Sequence, residues 1–288
     1  MKSRILFCCI FLFTCHLSFQ TSAYAESPRR IISLAPNITE ILFALGLGDR
    51  VVGVTSFCDY PEEAKKKTKI GGMSNPSLEE VVSLKPDIVV MTTDGNPKEF
   101  EERLRSLKIK TYVVKTLRFS ELPQAIREMG DLLDSKDTAN SLASRIETSL
   151  KRLNTGRQDK SITHIQRKKV LFIIWPEPLI VAGPGTIMDD AITLLGHDNI
   201  ASKAKTAYPK YSVEEIIHQV PDVIIIGKGH ANMQEVSATL LKKLKRVPAV
   251  KNNRVYFAGD SLYRLGPRVI EGIEEIAPYL KENGAIHE

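Results

Sequence analysis

The same pattern of polar and apolar positions occurs twice along this chain. Residues 77–91 read SLEEVVSLKPDIVVM and residues 212–226 read SVEEIIHQVPDVIII, with no insertion or deletion between the two copies. Each copy opens with a serine and two glutamates, continues with a short apolar helix pattern, is stopped by a proline, and ends in a β-branched run. Such a run is typical of a buried parallel strand. A helix-then-strand unit in each half therefore predicts two Rossmann-like α/β lobes of similar build.

The two predicted helices of this repeat have an apolar side and an acidic start. The apolar side consists of Val81, Val82 and Leu84 in the first copy and Ile216, Ile217 and Val220 in the second. The serine is a predicted N-cap, and the second glutamate, Glu80 or Glu215, completes a capping box with it. The first glutamate, Glu79 or Glu214, has no local partner.

Two interpretations of Glu79 and Glu214 are open from the pattern alone. Acidic residues are favoured in the first turn of any helix by its dipole, an effect of about 0.3–1 kcal/mol. The alternative is a matched pair of carboxylates, one in each lobe, which faces a partner that contacts both lobes at once.

The rest of the chain divides into two α/β blocks and a helical segment between them. Residues 26–118 and residues 154–288 alternate strand and helix patterns, and they are the predicted N-terminal and C-terminal lobes. Residues 119–153 place apolar side chains at helical spacing without a strand pattern, which predicts one long linking helix, bent if anywhere near Asp134–Ser135. The predicted fold class is therefore α/β, with two lobes joined by a single long backbone helix. Loops at the strand ends are where a ligand is expected.

The first 25 residues have the composition of a signal peptide. Two basic residues precede an apolar run at positions 5–13, and the segment ends in a small-x-small site at Ala25. The run is too short to be a permanent membrane anchor. We therefore predict an exported, periplasmic protein cleaved near Ala25. A lipoprotein attached through Cys15 ranks second, because Phe13 and Thr14 are a poor lead-in to such a cysteine.

Cysteine content and charge exclude several classes of protein. Three of the four cysteines lie in the signal segment, which leaves Cys58 alone, so no internal disulfide is expected. The full chain carries a net charge of +6, and its lysines are scattered in short runs. This distribution suits a solvated surface better than a nucleic-acid interface, which needs clustered basic residues with interleaved aromatics.

No enzyme or cofactor motif is present. Gly227-Lys228-Gly229 lacks the spacing of a phosphate loop, and no dinucleotide fingerprint follows the first predicted strand. Cys58 has no local catalytic signature and is interpreted as a plain thiol. No catalytic residue, metal ligand or cofactor is assigned. The histidines beyond the signal segment fall at no metal-ligand spacing and are predicted to lie on the surface; they are His164, His197, His218, His230 and His287.

Aromatic and charged residues follow strand ends in both predicted lobes. Phe57 and Tyr60 belong to the first lobe, and Trp175, the single tryptophan, belongs to the second together with Tyr208 and Tyr263. Any one of them is more often a packing residue than a ligand contact. Apolar walls with a few charges describe a ligand cleft, so the set as a whole predicts a binding site between the lobes.

Several stretches together resemble periplasmic substrate-binding proteins of ABC importers. The branch is the one for cobalamin, ferric siderophores and haem, and the likeness is greatest to cobalamin-binding members. It covers essentially the whole chain after the signal segment, in order, and it implies two α/β lobes bridged by one long helix with the ligand between them. The stretches are RIISLAPNITE at 30–40, VGVTSFCDYP at 52–61, the two repeats, and DSLYRLGPR at 260–268.

The resemblance assigns roles to particular residues. Glu79 and Glu214 match the glutamates, one in each lobe, that dock onto arginines of the permease. Phe57 matches an aromatic residue placed against the corrin, Tyr208 matches a second cleft aromatic, and residues 260–264 match a loop that reaches the ligand. The complete predicted ligand-binding set is Phe57, Tyr60, Trp175, Tyr208, Asp260, Ser261, Leu262, Tyr263 and Arg264.

The expected function is capture of a corrinoid, such as cobalamin, by a monomeric exported protein that delivers it to an ABC permease. Asp260 and Arg264 are expected to orient the ligand through charge-assisted hydrogen bonds. Thr92 and Gly71-Gly72 stand where relatives often place tryptophans, which leaves the ligand open. The alternatives are a ferric siderophore, or haem with Tyr60 or Tyr263 as axial ligand. The alternative from another class is an exported α/β enzyme that uses Cys58 or Asp260.

Overall fold

The first lobe is built on a parallel sheet whose middle strands are buried. The computed structural model describes residues 27–154, 167–228 and 232–280, so the predicted signal peptide, its cleavage site, His164, His230 and His287 lie outside the described residues. The sheet has five strands in the order β3-β2-β1-β4-β5. They are β1 (Ile31–Ser33), β2 (Val51–Val54), β3 (Thr68–Lys69), β4 (Ile88–Thr92) and β5 (Thr111–Val114).

Short helices connect these strands. They are α1 (Pro36–Ala44), α2 (Glu62–Lys65), α3 (Leu78–Ser83) and α4 (Lys98–Ser106). Helix α1 begins directly at Pro36. Proline is well tolerated there, because the first helical N–H groups have no partner within the helix. The repeat prediction for β4 is confirmed, since all of its residues are buried.

The segment between the lobes contains two helices rather than one. After a 3₁₀ turn at Phe119–Glu121, α5 covers Leu122–Leu132 and α6 covers Lys136–Asn154. The chain reverses at Asp134, where φ is +58°, and the Ser135 N–H donates to the Gly130 carbonyl at 2.8 Å. The predicted single helix is therefore divided in two, and its longer part is the 19-residue α6. The bend predicted near Asp134–Ser135 is a complete break between the helices.

Helix α5 packs against α6 instead of extending it. A Cβ at Gly130 would lie 2.2 Å from the Cβ of Ala139, so the two helices approach more closely than any larger residue would permit. One apolar cluster then runs from Ile31 in the first sheet through Ile126 and Ile146 to Phe172 in the second. The lobes thus share a continuous core through this helical pair.

The second lobe contains a mixed sheet. Its path is β10-β9-β6-β7, with β8 paired to β6. The strands are β6 (Lys169–Pro176), β7 (Leu179–Val181), β8 (Asp198–Asn199), β9 (Val223–Gly227) and β10 (Val255–Ala258). Strand β7 runs antiparallel to β6, because the chain turns back at residues 177–178, while the other pairings are parallel.

Five helices complete this lobe within the described residues. They are α7 (Ile187–Leu194), α8 (Val213–Gln219), α9 (Met233–Lys243), α10 (Pro248–Lys251) and α11 (Val269–Ile276), with 3₁₀ turns at Asp260–Tyr263 and Ala277–Leu280. In the part of the chain that the structure covers, no helix is both long and apolar enough to cross a membrane.

The repeat helices differ from their prediction in which apolar residues they bury. Val81 and Ile216 are fully buried, but Val82 is 41% exposed and Ile217 is 48% exposed. Helices α3 and α8 have only six and seven residues, so few positions can face the sheet. Val220, also assigned to the apolar side, is 42% exposed.

The capping prediction is half correct. The Ser77 and Ser212 hydroxyls accept the N–H groups of Glu80 and Glu215 at 3.3 and 3.1 Å. The Ser77 N–H, however, donates to the Ile70 carbonyl at 2.8 Å, so the Glu80 carboxylate does not close the box. Both acids of each first turn are exposed.

Candidate functional site

A cavity of about 900 Å³ lies between the two lobes. Its first-lobe wall comes from the loops at the carboxyl ends of β1 to β5, where ligands of parallel α/β sheets usually bind. Its second-lobe wall comes from the end of β6, the start of α7 and the segment after β10. The lining residues are Pro36, Asn37, Phe57, Met73, Thr92, Asp94, Thr116 and Leu117, and Ile174, Trp175, Gly185, Thr186, Ile187, Ala207, Tyr208, Asp260, Tyr263, Arg264 and Leu265.

Three of the predicted aromatics present their rings to this cleft. Phe57 and Tyr208 are each 52% exposed, and Trp175 is 37% exposed. The Trp175 indole N–H donates to the Glu177 carbonyl at 2.7 Å, which fixes one edge of the ring. Large rings gathered in one concave region and left in water are characteristic of a binding surface. The structure therefore brings together aromatic residues from both lobes, as predicted.

Tyr263 forms a more deeply buried part of the wall. Its ring meets Phe172 edge-on, with 6.1 Å between the centroids. Burial raises the pKa of the Tyr263 phenol well above its ordinary value. Its hydroxyl oxygen lies only 1.2 Å from where a Cβ on Gly227 would stand. The glycine at the end of β9 is thus what permits this tyrosine to reach its place.

We expect Gly227→Ala to displace Tyr263 and to lower both stability and ligand affinity. Overpacking of this kind costs about 1–3 kcal/mol of unfolding free energy. Urea unfolding and ligand titration would measure the two effects. Tyr263→Ser in the same chain should relieve the clash, so the double variant should be more stable than the sum of the two single changes predicts. Strict additivity would contradict the steric explanation.

Arg264 is tied to the opposite lobe. One of its Nη atoms lies 2.5 Å from Asp59 Oδ1 and 3.2 Å from Glu40 Oε1. Arg268 donates to the two Glu40 oxygens at 3.1 and 2.7 Å. Glu40 is fully buried in α1, although its side chain is a carboxylate. We name these four residues, Glu40, Asp59, Arg264 and Arg268, the interlobe ion cluster.

The interlobe ion cluster bears on the predicted role of Arg264. The residue borders the cleft, but Asp59 and Glu40 already neutralise its guanidinium charge. The hydrogen bond from Arg264 holds the pKa of the Asp59 carboxyl below its ordinary value, so Asp59 stays ionised. Arg264 therefore joins the two lobes, and its predicted role in orienting the ligand from the cleft wall stays a prediction.

Three other predicted contacts do not reach the cleft. The Tyr60 ring lies 3.9 Å from the Arg268 guanidinium, beside a second cavity of about 610 Å³ that Glu40 and Arg268 also line. Leu262 is fully buried in the core, where it packs closely on Gly272. Ser261 is absent from the cleft wall. The 3₁₀ turn explains the last two, because successive residues of a tight turn point in different directions.

Most of the chain matches one known family. Residues 31–262 match the family of periplasmic binding proteins. The protein belongs to the periplasmic binding protein family. It is 33% identical to the uncharacterized ABC transporter substrate-binding lipoprotein YvrC of Bacillus subtilis (strain 168), over 90% of this chain and 82% of that protein.

Two solved structures of different ligand class are about equally similar to this periplasmic binding protein. The periplasmic vitamin B12 binding protein BtuF of Vibrio cholerae has a TM-score of 0.78 at 27% identity, covering 88% of this chain and 97% of that chain. The periplasmic heme-binding protein RhuT from Roseiflexus sp. RS-1, in apo form, has a TM-score of 0.76 at 28% identity, covering 88% and 97%. Similarity to these two structures does not distinguish between their ligand classes. The residues that line the cleft must therefore be used to distinguish between them.

Sequence reasoning missed much of the polar lining. Asn37, Asp94 and Thr116 border the cleft of this periplasmic binding protein, as do Met73 and Leu117. All five follow the carboxyl ends of first-lobe strands. The position rule for parallel sheets could have found them, since it needs only the predicted strand ends.

Cys58 is a core residue in this periplasmic binding protein. It is buried, and the Thr39 hydroxyl donates to its sulfur at 3.1 Å. A family of transport components gives no support to the alternative of an enzyme that uses Cys58 or Asp260. The surface prediction fails for His197, which is buried and whose pKa is lowered by that burial. The described residues contain no group of three or more His, Cys, Asp or Glu able to hold a metal ion.

Proposed function

We propose that this periplasmic binding protein captures a corrinoid, such as cobalamin, between its lobes and delivers it to an ABC permease. The observation that carries the ligand class is the charge of the cleft. Its ionisable acids and bases are Asp94, Asp260 and Arg264, and the arginine is already paired with two carboxylates. Among the described residues, the cleft lining therefore offers acidic and neutral polar groups and no uncompensated cation.

This balance disfavours strongly anionic ligands. Haem carries two propionates, and catecholate siderophores are also anionic. Either would bring negative charge towards Asp94 and Asp260, and the described part of the lining has no free arginine or lysine to compensate it. A corrin ring is bordered by neutral amides instead. Hydrogen bonds from such amides suit Asp94 and Asp260, and the side chains of Asn37 and Thr116 add neutral partners.

The need of haem for an axial ligand from the protein also disfavours haem as the ligand. Of the two predicted axial candidates, Tyr60 stacks on Arg268 outside the cleft lining. Tyr263 lines the cleft, but its raised pKa opposes the phenolate form that binds iron. A corrinoid brings axial ligands of its own to its cobalt and needs none from the protein. Affinity would come from burial of a large rigid ring system against Phe57, Trp175 and Tyr208.

The test uses Trp175 as a reporter, because it is the single tryptophan of the chain. Cyanocobalamin and cobinamide should quench its fluorescence saturably, with half-saturation at about 1 µM or below, a typical affinity for a well-formed site. Hemin and a ferric catecholate should bind at least tenfold more weakly in calorimetry. Tyr208→Ala should weaken corrinoid binding by about tenfold or more, since exposed aromatic anchors dominate such sites.

A control variant shows whether the loss of corrinoid binding expected for Tyr208→Ala is specific to the cleft. Tyr279→Phe keeps the ring of a tyrosine that stacks on Tyr256 away from the cleft lining, and it should bind corrinoids normally. Tight binding of hemin or a ferric chelate without binding of either corrinoid would reject the proposed ligand and favour the haem or siderophore alternative.

Delivery is proposed to use Glu79 and Glu214. Both are exposed, and within the described ranges no ion pair or side-chain hydrogen bond engages either carboxylate. They occupy the same position of the repeat, one in each lobe, which suits a permease that contacts both lobes. The family is consistent with an exported, periplasmic protein. We propose that it acts as a monomer in this delivery.

A further inference from the structure

Each repeat helix leaves an aliphatic side chain in water at the same position. Val82 and Ile217 are 41% and 48% exposed, although the repeat pattern places them among core residues. Each follows a glutamate by three positions, Glu79 and Glu214 respectively. Residues three apart lie on the same face of a helix, so each exposed aliphatic is a neighbour of an exposed acid.

The aliphatic residue distinguishes between the two acids of each helix. Glu80 and Glu215 are also exposed, but they are rotated by about 100° from their neighbours around the helix axis. Their own partners three positions on are Ser83 and His218, which are polar. An acid beside an exposed aliphatic is therefore found only on the Glu79 and Glu214 faces of these two helices.

The second helix carries an additional apolar residue under strain. Val220 ends α8 with φ at +53°, a left-handed conformation that β-branched residues rarely adopt, and its side chain is exposed. The equivalent residue of the first repeat, Lys85, also has a positive φ of 46°, but it is polar. A strained valine with this exposure contributes less to the core than a buried one and leaves part of its side chain available at the surface.

We propose that each lobe docks through a two-part surface, in which an aliphatic residue packs beside the ion pair of the neighbouring glutamate. The surfaces are Glu79 with Val82, and Glu214 with Ile217 and Val220. The occupant is the permease, which would present in each half a cationic side chain next to an apolar one. This inference rests on the proposed delivery function. The exposed acid beside each exposed aliphatic residue and the matched position in both lobes support it.

The two surfaces are not equivalent in this arrangement. The second-lobe surface has two aliphatic residues where the first-lobe surface has one and a lysine. The aliphatic part excludes water from the adjacent ion pair, which strengthens it. Replacement of Ile217 should therefore weaken docking more than replacement of Val82, and the difference would fix which lobe contributes more.

The test measures docking to the permease, reconstituted in nanodiscs, by biolayer interferometry at two salt concentrations. The double variant Val82→Ser with Ile217→Ser should bind about tenfold more weakly, a loss of about 1.4 kcal/mol, with the same salt dependence as wild type. Glu79→Gln with Glu214→Gln should weaken docking and flatten its salt dependence. The matched control, Leu107→Ser with Leu132→Ser, removes two exposed leucines elsewhere and should dock normally.

Further measurements exclude misfolding as the cause. Val220→Gly relieves the left-handed strain, so it should raise Tm while it weakens docking, and corrinoid affinity should stay unchanged in every variant. If the serine pair docks within twofold of wild type while the glutamine pair does not, the aliphatic part is rejected and the delivery proposal survives. If neither pair weakens docking, both fail.

Discussion

Replacing Glu40 with glutamine is expected to lower the free energy of unfolding by about 3–5 kcal/mol, the usual loss when one partner of a buried ion pair is removed. The carboxylate accepts hydrogen bonds from Arg264 and Arg268, and both guanidinium groups are largely buried. A neutral amide cannot compensate either cation and would turn a donor group towards one of them. Urea unfolding at neutral pH measures the loss.

The same substitution should also reduce ligand affinity. Glu40 and Asp59 belong to the first lobe and the two arginines to the second, so the interlobe ion cluster holds the walls of the cleft at a fixed separation. Loosening it allows the Arg264 side chain and its neighbour Tyr263 to move. We expect corrinoid affinity to fall by about tenfold, because binding must then re-form the closed geometry.

Two controls separate this effect from a general loss of charge. Asp59→Asn removes a carboxylate of the same cluster that is partly solvated, so its stability loss should be clearly smaller. Glu62→Gln breaks the exposed ion pair with Lys65 and should change stability by about 0.5 kcal/mol or less. A Glu40→Gln variant as stable as Glu62→Gln would show that the cluster does not join the lobes energetically.

The sequence predicts the elements of the fold well, because hydrophobic periodicity encodes them directly. The buried strand runs at residues 88–91 and 223–226 lie within β4 and β9 as expected. The break between α5 and α6 was harder to place. It depends on a left-handed residue at Asp134 and on the close approach at Gly130, neither of which changes the helical spacing of apolar residues.

The site is predicted less completely, because its pairings are long-range. One carboxylate partner of Arg264, Glu40, lies 224 residues away in α1, where it interrupts an apolar helix pattern. That interruption is a signal, since a lone acid on a buried face needs a cation. No local pattern shows which arginine it meets, or that Tyr60 stacks on Arg268 instead of joining Phe57.

Reversing both Glu79 and Glu214 to lysine is expected to abolish ligand uptake while the protein stays folded. Neither side chain supports the core, so stability should fall only by the helix-dipole effect, about 0.3–1 kcal/mol for each residue. Corrinoid affinity should be unchanged, because neither residue lines the cleft. Uptake should collapse, since like charges facing each other across an interface cost several kcal/mol.

The matched control reverses the adjacent acids of the same helices. Glu80→Lys with Glu215→Lys makes the same change in net charge, in the same first turns, and keeps the N-cap bonds, which use backbone N–H groups of these residues. Because these acids are rotated away from Val82 and Ile217, this variant should retain most of its uptake. General repulsion from a more basic protein would affect both double variants equally, whereas docking through one face affects only the first.

The measurement is uptake of labelled cobalamin into vesicles that contain the permease, with the binding protein supplied outside. The single variants Glu79→Lys and Glu214→Lys test the contribution of each lobe. If the permease must engage both lobes, each single variant should lose most of the uptake, because repulsion at one lobe is enough to prevent docking. Additive, partial losses would mean that the lobes dock independently. Uptake by the Glu79 and Glu214 double variant at the wild-type rate would show that these acids serve only as helix starts, and the ligand-capture proposal would then stand without this route of delivery.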